Sequence, residues 1–386
     1  MANQYAQSHC INDDLESAVK QTADAIQKTI AGDIDLVIAF AAGYSPDDFD
    51  RCMGTIQELT GATTVLGCTA ETVIGAGLEL EQENAISVWA VSMPNATVVP
   101  MHLDYLRSEQ ESAIVGWPQA TDGPWPDDSV LLMLGEPFGF PADILLERFN
   151  EDRPGIKIVG GMASGGHMPG ESRLLLNDQT YAEGAVAIRI SGIAIKTLVS
   201  QGCRPIGTPM VITKCERNVI EQLGGKPALD IIHELFQTLP TREQSMVQNG
   251  LHIGRVVNEY QESFECGDFL IRSVVGIDKD SRSVSVGDYV RPGQTVQFHI
   301  RDAESASAEL ERLLALSSAH SSHQAGLLFT CNGRGLNLFP DPHHDANLVH
   351  TNKKIPLAGF FAAGEIGPIG TKNFIHGFTA SVVLFD

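Results

Sequence analysis

The chain has 386 residues, 43% apolar and 19% charged, enough to bury real cores and about twice the length of a common single domain. Its 48 acidic against 26 basic residues leave a formal charge of −22, a field that repels phosphates and anionic bilayers, so neither nucleic acid nor membrane is expected as a partner. The start has no basic segment leading into an apolar run, no apolar run nears the roughly 20 residues of a membrane span, and the seven cysteines are scattered without a C-x-x-C pair; a cytoplasmic protein is expected, without a disulfide framework or zinc ribbon.

The first predicted element is an amphipathic helix carrying Leu15, Val19, Ile26 and Ile30, stopped at Gly32. A strand follows over Leu36–Phe40. Ser45-Pro46-Asp47-Asp48 then reads as an N-cap, a first-turn proline and two acids at the positive helix end; Phe49, Met53, Ile56 and Leu59 continue one helix to Gly61. Next come the β-rich run Thr64–Glu71, a loop with Gly75 and Gly77, and strands near Ile86–Val91 and Thr97–His102. The segment Trp117–Asp128, rich in Pro, Gly and Asp, reads as a linker.

After it the order repeats: strand Val130–Leu134, a helix opened by Pro141 with Ile144, Leu145 and Phe149, strand Ile156–Gly161, and strands at Leu174–Leu176, Ala185–Ile190 and Ile193–Val199. Residues 205–300 break the rhythm with a helix after Pro227 and alternating segments at Phe269–Ile277, Ser283–Val286 and Thr295–Ile300, an inserted α+β region. A helix over Ala306–Leu316 leads to a third copy: strand Gly326–Thr330, a weak helix at Asp345–Val349, the run Pro356–Glu365 and strand Ser381–Phe385. The fold class predicted is α/β, with layered mixed sheets, outer helices and repeated strand-helix-strand units. Two domains are expected: 30–200 with two copies, and 205–386 with the insert (about 205–300) and the third copy (about 325–386).

The least ordinary segments are Cys331-Asn332-Gly333-Arg334-Gly335 and the run from Gly359 through Phe360, Phe361, Gly364 and Glu365 to Pro368. Both follow β-rich runs, where α/β sheets bind ligands, and their small residues admit a ligand to the backbone N–H groups. There is no G-x-x-x-x-G-K-[ST] loop and no G-x-G-x-x-G opening a helix, so nucleotide chemistry has no support.

The stretches 328–335 (LFTCNGRG), 358–368 (AGFFAAGEIGP) and 373–381 (NFIHGFTAS) resemble the C-terminal half of the FIST sensory family; 65–71 (VLGCTAE) and 159–166 (VGGMASGG) resemble its N-terminal half. The resemblance runs from about residue 30 to the end. It implies a bacterial signal-input module for a small ligand, with amino acids one candidate. Stand-alone members of the NosP type bind haem, sense nitric oxide and modulate a histidine kinase, which implies haem b and a separate kinase partner for a chain without an output domain of its own. Haem needs an axial ligand, for which His376, His350 and His344 are candidates, and a greasy slot, which Phe360 and Phe361 could wall. For an amino acid, Arg334 would pair with the α-carboxylate, Glu365 would take the α-ammonium, and N–H groups around Gly333 and Gly364 would complete the site, with Cys331 and Asn332 beside it. A different class of function is a hydrolase in which Cys331 is activated by His376 and Glu365; the sensory, non-enzymatic reading is preferred because nothing in the spacing joins those three.

Overall fold

The structure is a computed structural model describing residues 2–107, 112–261, 263–318 and 323–386. It is mixed α/β, as expected, and forms two compact units: Met1–Val199, Glu311–Ile375 and Thr379–Asp386 make the first, Ser200–Leu310 with His376–Phe378 the second.

The first unit contains the parallel strand pairs of all three copies, while the end of the third copy's first strand (200–201), the first half of its helix over 303–318 and His376 group with the second. Copy one is β1 (Gln4–Ile11), α1 (Leu15–Thr29), β2 (Leu36–Ala42), α2 (Pro46–Cys52), α3 (Thr55–Thr60), β3 (Thr64–Ala70), the hairpin β4 (Val73–Gly75) and β5 (Leu78–Leu80), and β6 (Ala85–Ser92). Copy two is β7 (Thr97–Arg107), β8 (Ser112–Val115), β9 (Val130–Gly135), α4 (Ala142–Asp152), β10 (Lys157–Met162), the hairpin β11 (Leu174–Leu176) and β12 (Gln179–Tyr181), and β13 (Ala185–Ser191). Copy three begins with β14 (Ile195–Gln201), is interrupted by the insert, and resumes after it.

The insert, in the second unit, holds β15 (Cys203–Glu216), β16 (Val219–Leu223), β17 (Lys226–Pro227), α5 (Ala228–Thr238), α6 (Thr241–Asn249), β18 (Leu251–Val256), β19 (Phe269–Asp278), β20 (Ser283–Val286) and β21 (Thr295–Arg301). Its strands form one sheet in the order β15-β21-β18-β19-β20-β16-β17, with Ile232, Ile253, Phe298 and Ile300 in the core under the helices. Copy three then continues with α7 (Ala303–Ser318), β22 (Ala325–Cys331), α8 (His344–Lys353), β23 (Leu357–Ala362), the hairpin β24 (Glu365–Ile369) and β25 (Lys372–His376), and β26 (Thr379–Phe385).

Each copy centres on a parallel pair, β2 with β3, β9 with β10 and β22 with β23, crossed over by a helix. An antiparallel strand flanks the first member of each pair: β6, β13 or β26. The second member is flanked by a hairpin taken from another copy. β3 receives β11 from copy two, β10 receives β24 from copy three, and β23 receives β4 from copy one. The exchange is cyclic, so no copy can close its own sheet and the three fold as one body.

The inner faces of the sheets meet in a single core with Ile38 and Phe40, Leu132 and Leu134, and Leu327 and Phe329. The opposite faces of β2 and β9 pack under helices, Val37 and Ala39 with α1–α3, and Leu131 and Met133 with α4. Burial on both faces explains why these strands read as continuous apolar runs.

The repeated glycine of the second strand has a cause. A Cβ at Gly67, Gly160 or Gly359 would stand 2.3, 2.0 or 1.8 Å from a carbonyl oxygen of the paired strand, at Ala39, Met133 or Leu328. The helix expected over 46–60 is broken into α2 and α3 around Gly54, where a Cβ would stand 2.6 Å from the Asp178 carbonyl oxygen. The Trp117–Asp128 segment read as a linker is packed: Trp117 and Trp125 both lie against Phe149 of α4.

Candidate functional site

The motif residues of the third copy converge beyond the carboxyl ends of β22 and β23. Arg334 is fully buried, and its Nε and Nη2 reach the two oxygens of Asp345, near the start of α8, at 2.5 and 2.8 Å. The carboxylate expected to come from a ligand is therefore one of the chain's own. Thr330 Oγ1 donates to the same Asp345 at 3.1 Å. Burial alone would raise the Asp345 carboxyl, but the guanidinium outweighs it and holds it well below the usual carboxylate range; burial would likewise lower Arg334, and Asp345 more than reverses that.

Two buried acids flank this ion pair, and both shift in the direction opposite to Asp345. Glu365, the first residue of β24, accepts from Thr379 N–H at 3.2 Å and from Thr379 Oγ1 at 2.7 Å through Oε2, while its buried Oε1 has no hydrogen-bond partner among the described residues. Glu79, brought in by the hairpin of copy one, accepts from Ala346 N–H at 3.0 Å and leaves Oε2 without a partner among the described residues. Burial pushes both up to about 8, helped at Glu79 by the neighbouring Asp345 charge, so both are largely protonated at neutral pH.

The turn between β22 and α8 is built tightly. Gly333 N–H lies 3.3 Å from Cys331 Sγ, and Asn332 N–H donates to the Ala362 carbonyl at 3.3 Å. Asn332 Oδ1 is buried and has no hydrogen-bond partner among the described residues. At Gly335, φ is +54° and a Cβ would press on the Phe361 ring and on Glu81 at 2.7 Å each, so glycine is required. Gly364 gives its carbonyl to Met162 N–H at 2.9 Å.

Several expected residues do other work. Phe360 points into the central core, 4.8 Å from Phe40 and 5.7 Å from Phe329, and walls no slot; Phe361 takes the opposite face of β23. His344 lies flat on Phe339, ring centroids 3.5 Å apart, with Nδ1 3.0 Å from Asp345. His350 packs against Gly77, and its buried Nδ1 is unpartnered among the described residues. His376 is buried and groups with the second unit, while Cys331 and Glu365 belong to the first. Glu365 bonds to Thr379, leaving it no sign of orienting an imidazole for a cysteine nucleophile.

Sequence reasoning missed Asp345 and Glu79 as site members. It also missed a cavity of about 890 Å³ in copy two, between α4, the β7–β8 hairpin and the 117–124 segment. One signal was present, since two of the chain's three tryptophans fall in the supposed linker. Among the described residues no helix is long and apolar enough to cross a membrane, and no group of three or more His, Cys, Asp or Glu is placed to hold a metal ion.

The first unit is a triplicated mixed α/β body with a buried polar cluster beyond the parallel strands of its third copy. The FIST N domain matches residues 35–226 and the FIST C domain residues 228–368, and the chain belongs to the FIST family. It is similar to "Uncharacterized protein Rv0628c" of Mycobacterium tuberculosis, 37% identical over 372 residues and 96% of each chain. It is also similar to "Uncharacterized protein Mb0898c" of Mycobacterium bovis, 35% identical over 380 residues and 97% of each chain. FIST domains are small-ligand sensory domains.

Proposed function

We propose that this chain senses an amino acid or similar small amine beside Glu365 and passes the signal to a separate protein partner. The observation that carries the reading is Glu365 Oε1, a fully buried carboxyl oxygen without a hydrogen-bond partner among the described residues, next to the buried Arg334–Asp345 pair. Leaving such an atom unmade costs about 1–3 kcal/mol, and an ammonium N–H supplies what it lacks. Because Arg334 is held by Asp345, the ligand's carboxylate falls to the backbone N–H groups around Gly333 and Gly364. A thermal-unfolding screen of the twenty amino acids tests this: at least one raises the midpoint saturably, and Glu365→Gln removes the rise. No rise with any of them, or an equal rise in the variant, contradicts it.

The haem version of the reading, nitric oxide sensing that modulates a histidine kinase, is supported by resemblance to stand-alone family members. Of the residues expected to hold haem, His344 is stacked on Phe339 with Nδ1 3.0 Å from Asp345 and Phe360 is core, and no histidine is among the described residues lining the 890 Å³ cavity, while His376 and His350 stay open as axial candidates. A Soret band that shifts with nitric oxide after haem is supplied would restore that version; its absence leaves the amine sensor.

A further inference from the structure

In copies one and three, a helix fills the groove between the edge strand and the crossover helix. α1 packs there against β1, β6, α2 and α3. α7 does the same in copy three: Lys196 of β14 reaches the Ser317 carbonyl at 3.4 Å, and Lys353 of α8 bonds Leu314 O and Ser317 Oγ at 2.7 and 2.6 Å. Among the described residues, copy two has no α-helix between β7 and β9, only the three-residue 3-10 turn Gln119–Thr121. Its edge strand and crossover helix α4 instead border the cavity of about 890 Å³, partly roofed by the 117–124 segment. The vacant helix position is thus a pocket within the roughly 300–1,000 Å³ range of small-molecule sites.

Its walls are held rigidly. Trp117 Nε1 donates to the Ile114 carbonyl at 3.2 Å, and Trp117 lies near-parallel to Phe149 at 6.3 Å. Arg153 is consumed by the roof, bonding the Gly123 and Thr121 carbonyls at 2.7 and 3.0 Å and lying 4.5 Å over Trp125. Arg148 also lines the cavity and has no ion-pair or hydrogen-bond partner among the described residues. Asp122 and Asp152 line it too and repel any second negative charge.

We propose that this cavity is a second ligand site, selective for a small monocarboxylate with an apolar, ring-sized body that lies against Trp117 and Phe149 with its carboxylate on Arg148. The test is tryptophan-fluorescence titration of the full chain with naphthalene-2-carboxylate, its carboxamide and naphthalene-2,6-dicarboxylate. The monocarboxylate is expected to quench saturably, with the amide and the dicarboxylate at least ten-fold weaker. Arg148→Gln brings the acid down to the amide, and Ile144→Trp, at a position 44% exposed on the cavity wall, abolishes binding of both without lowering the unfolding midpoint. No saturable quenching by the acid, equal affinity for acid and amide, or unchanged binding in Ile144→Trp overturns the proposal. Glu365→Gln should leave this titration unchanged, which separates its outcome from that of the amine site.

Discussion

The third and second copies share one strand-helix-strand frame yet use it in opposite ways. In the third, polar groups fill the space beyond the parallel strands and are sealed: Arg334, Asp345 and Glu365 are each 0% exposed. In the second, the corresponding body is braced by aromatic rings and keeps open volume with charges only around it. The difference teaches that a repeated fold separates its tasks by what it inserts between edge strand and first core strand. Where α7 stands, the adjoining site is dry and its chemistry is decided by burial; where no helix stands, shape decides.

The contrast can be broken most forcefully at Asp345. Asp345→Ala leaves the Arg334 guanidinium buried without its counter-charge and should cost about 3–5 kcal/mol in denaturant unfolding. A loss below about 1 kcal/mol would mean that the cluster is wet rather than sealed.

A smaller effect comes from pH. Glu365 and Glu79 have folded values raised to about 8, so the stability they contribute is fully present below the ordinary glutamate value and is lost as pH rises through about 8. Asp345, held low, acts in the other direction: its contribution is present above the ordinary aspartate value and is lost only in acid. Stability should therefore fall from about pH 5 to about pH 8 and level off above it, and Glu365→Gln should flatten part of that fall while changing little at or below pH 5. An unaltered slope in the variant would show Glu365 to be ionised and solvated.

The smallest effects belong to the open copy. Arg148 is exposed and has no ion-pair or hydrogen-bond partner among the described residues, so Arg148→Gln should shift stability by no more than about 0.5 kcal/mol. A larger loss would reveal a structural partner and place Arg148 with the sealed cluster instead.

The three copies were legible in the sequence because buried parallel strands leave apolar runs at a fixed spacing, and because the glycine that clears the neighbouring carbonyl recurs at 67, 160 and 359. The cyclic exchange of hairpins was not legible: β4–β5, β11–β12 and β24–β25 are short, and their partners are set by tertiary packing rather than by local pattern. That exchange is why Glu79 was missed, since it reaches the motif cluster through copy one's hairpin, more than 250 residues from Ala346 in sequence. Arg334 and Glu365 were recognised as charges of interest, but sequence could not say that Asp345 would take the guanidinium. The cavity was hidden for a related reason. The Pro, Gly and Asp of 117–128 outweighed its two tryptophans in the reading, although both tryptophans pack on Phe149 of α4.

The most direct measurement is a calorimetric titration of the full chain, at pH 7, with the amino acid that stabilises it most, in two buffers of different ionisation enthalpy. Glu365 is protonated there, and an ammonium seated on it displaces that proton, so the account predicts release of close to one proton per ligand bound, lost in Glu365→Gln. Binding with no proton release, or with the same release in the variant, would contradict the assignment of the ligand to Glu365.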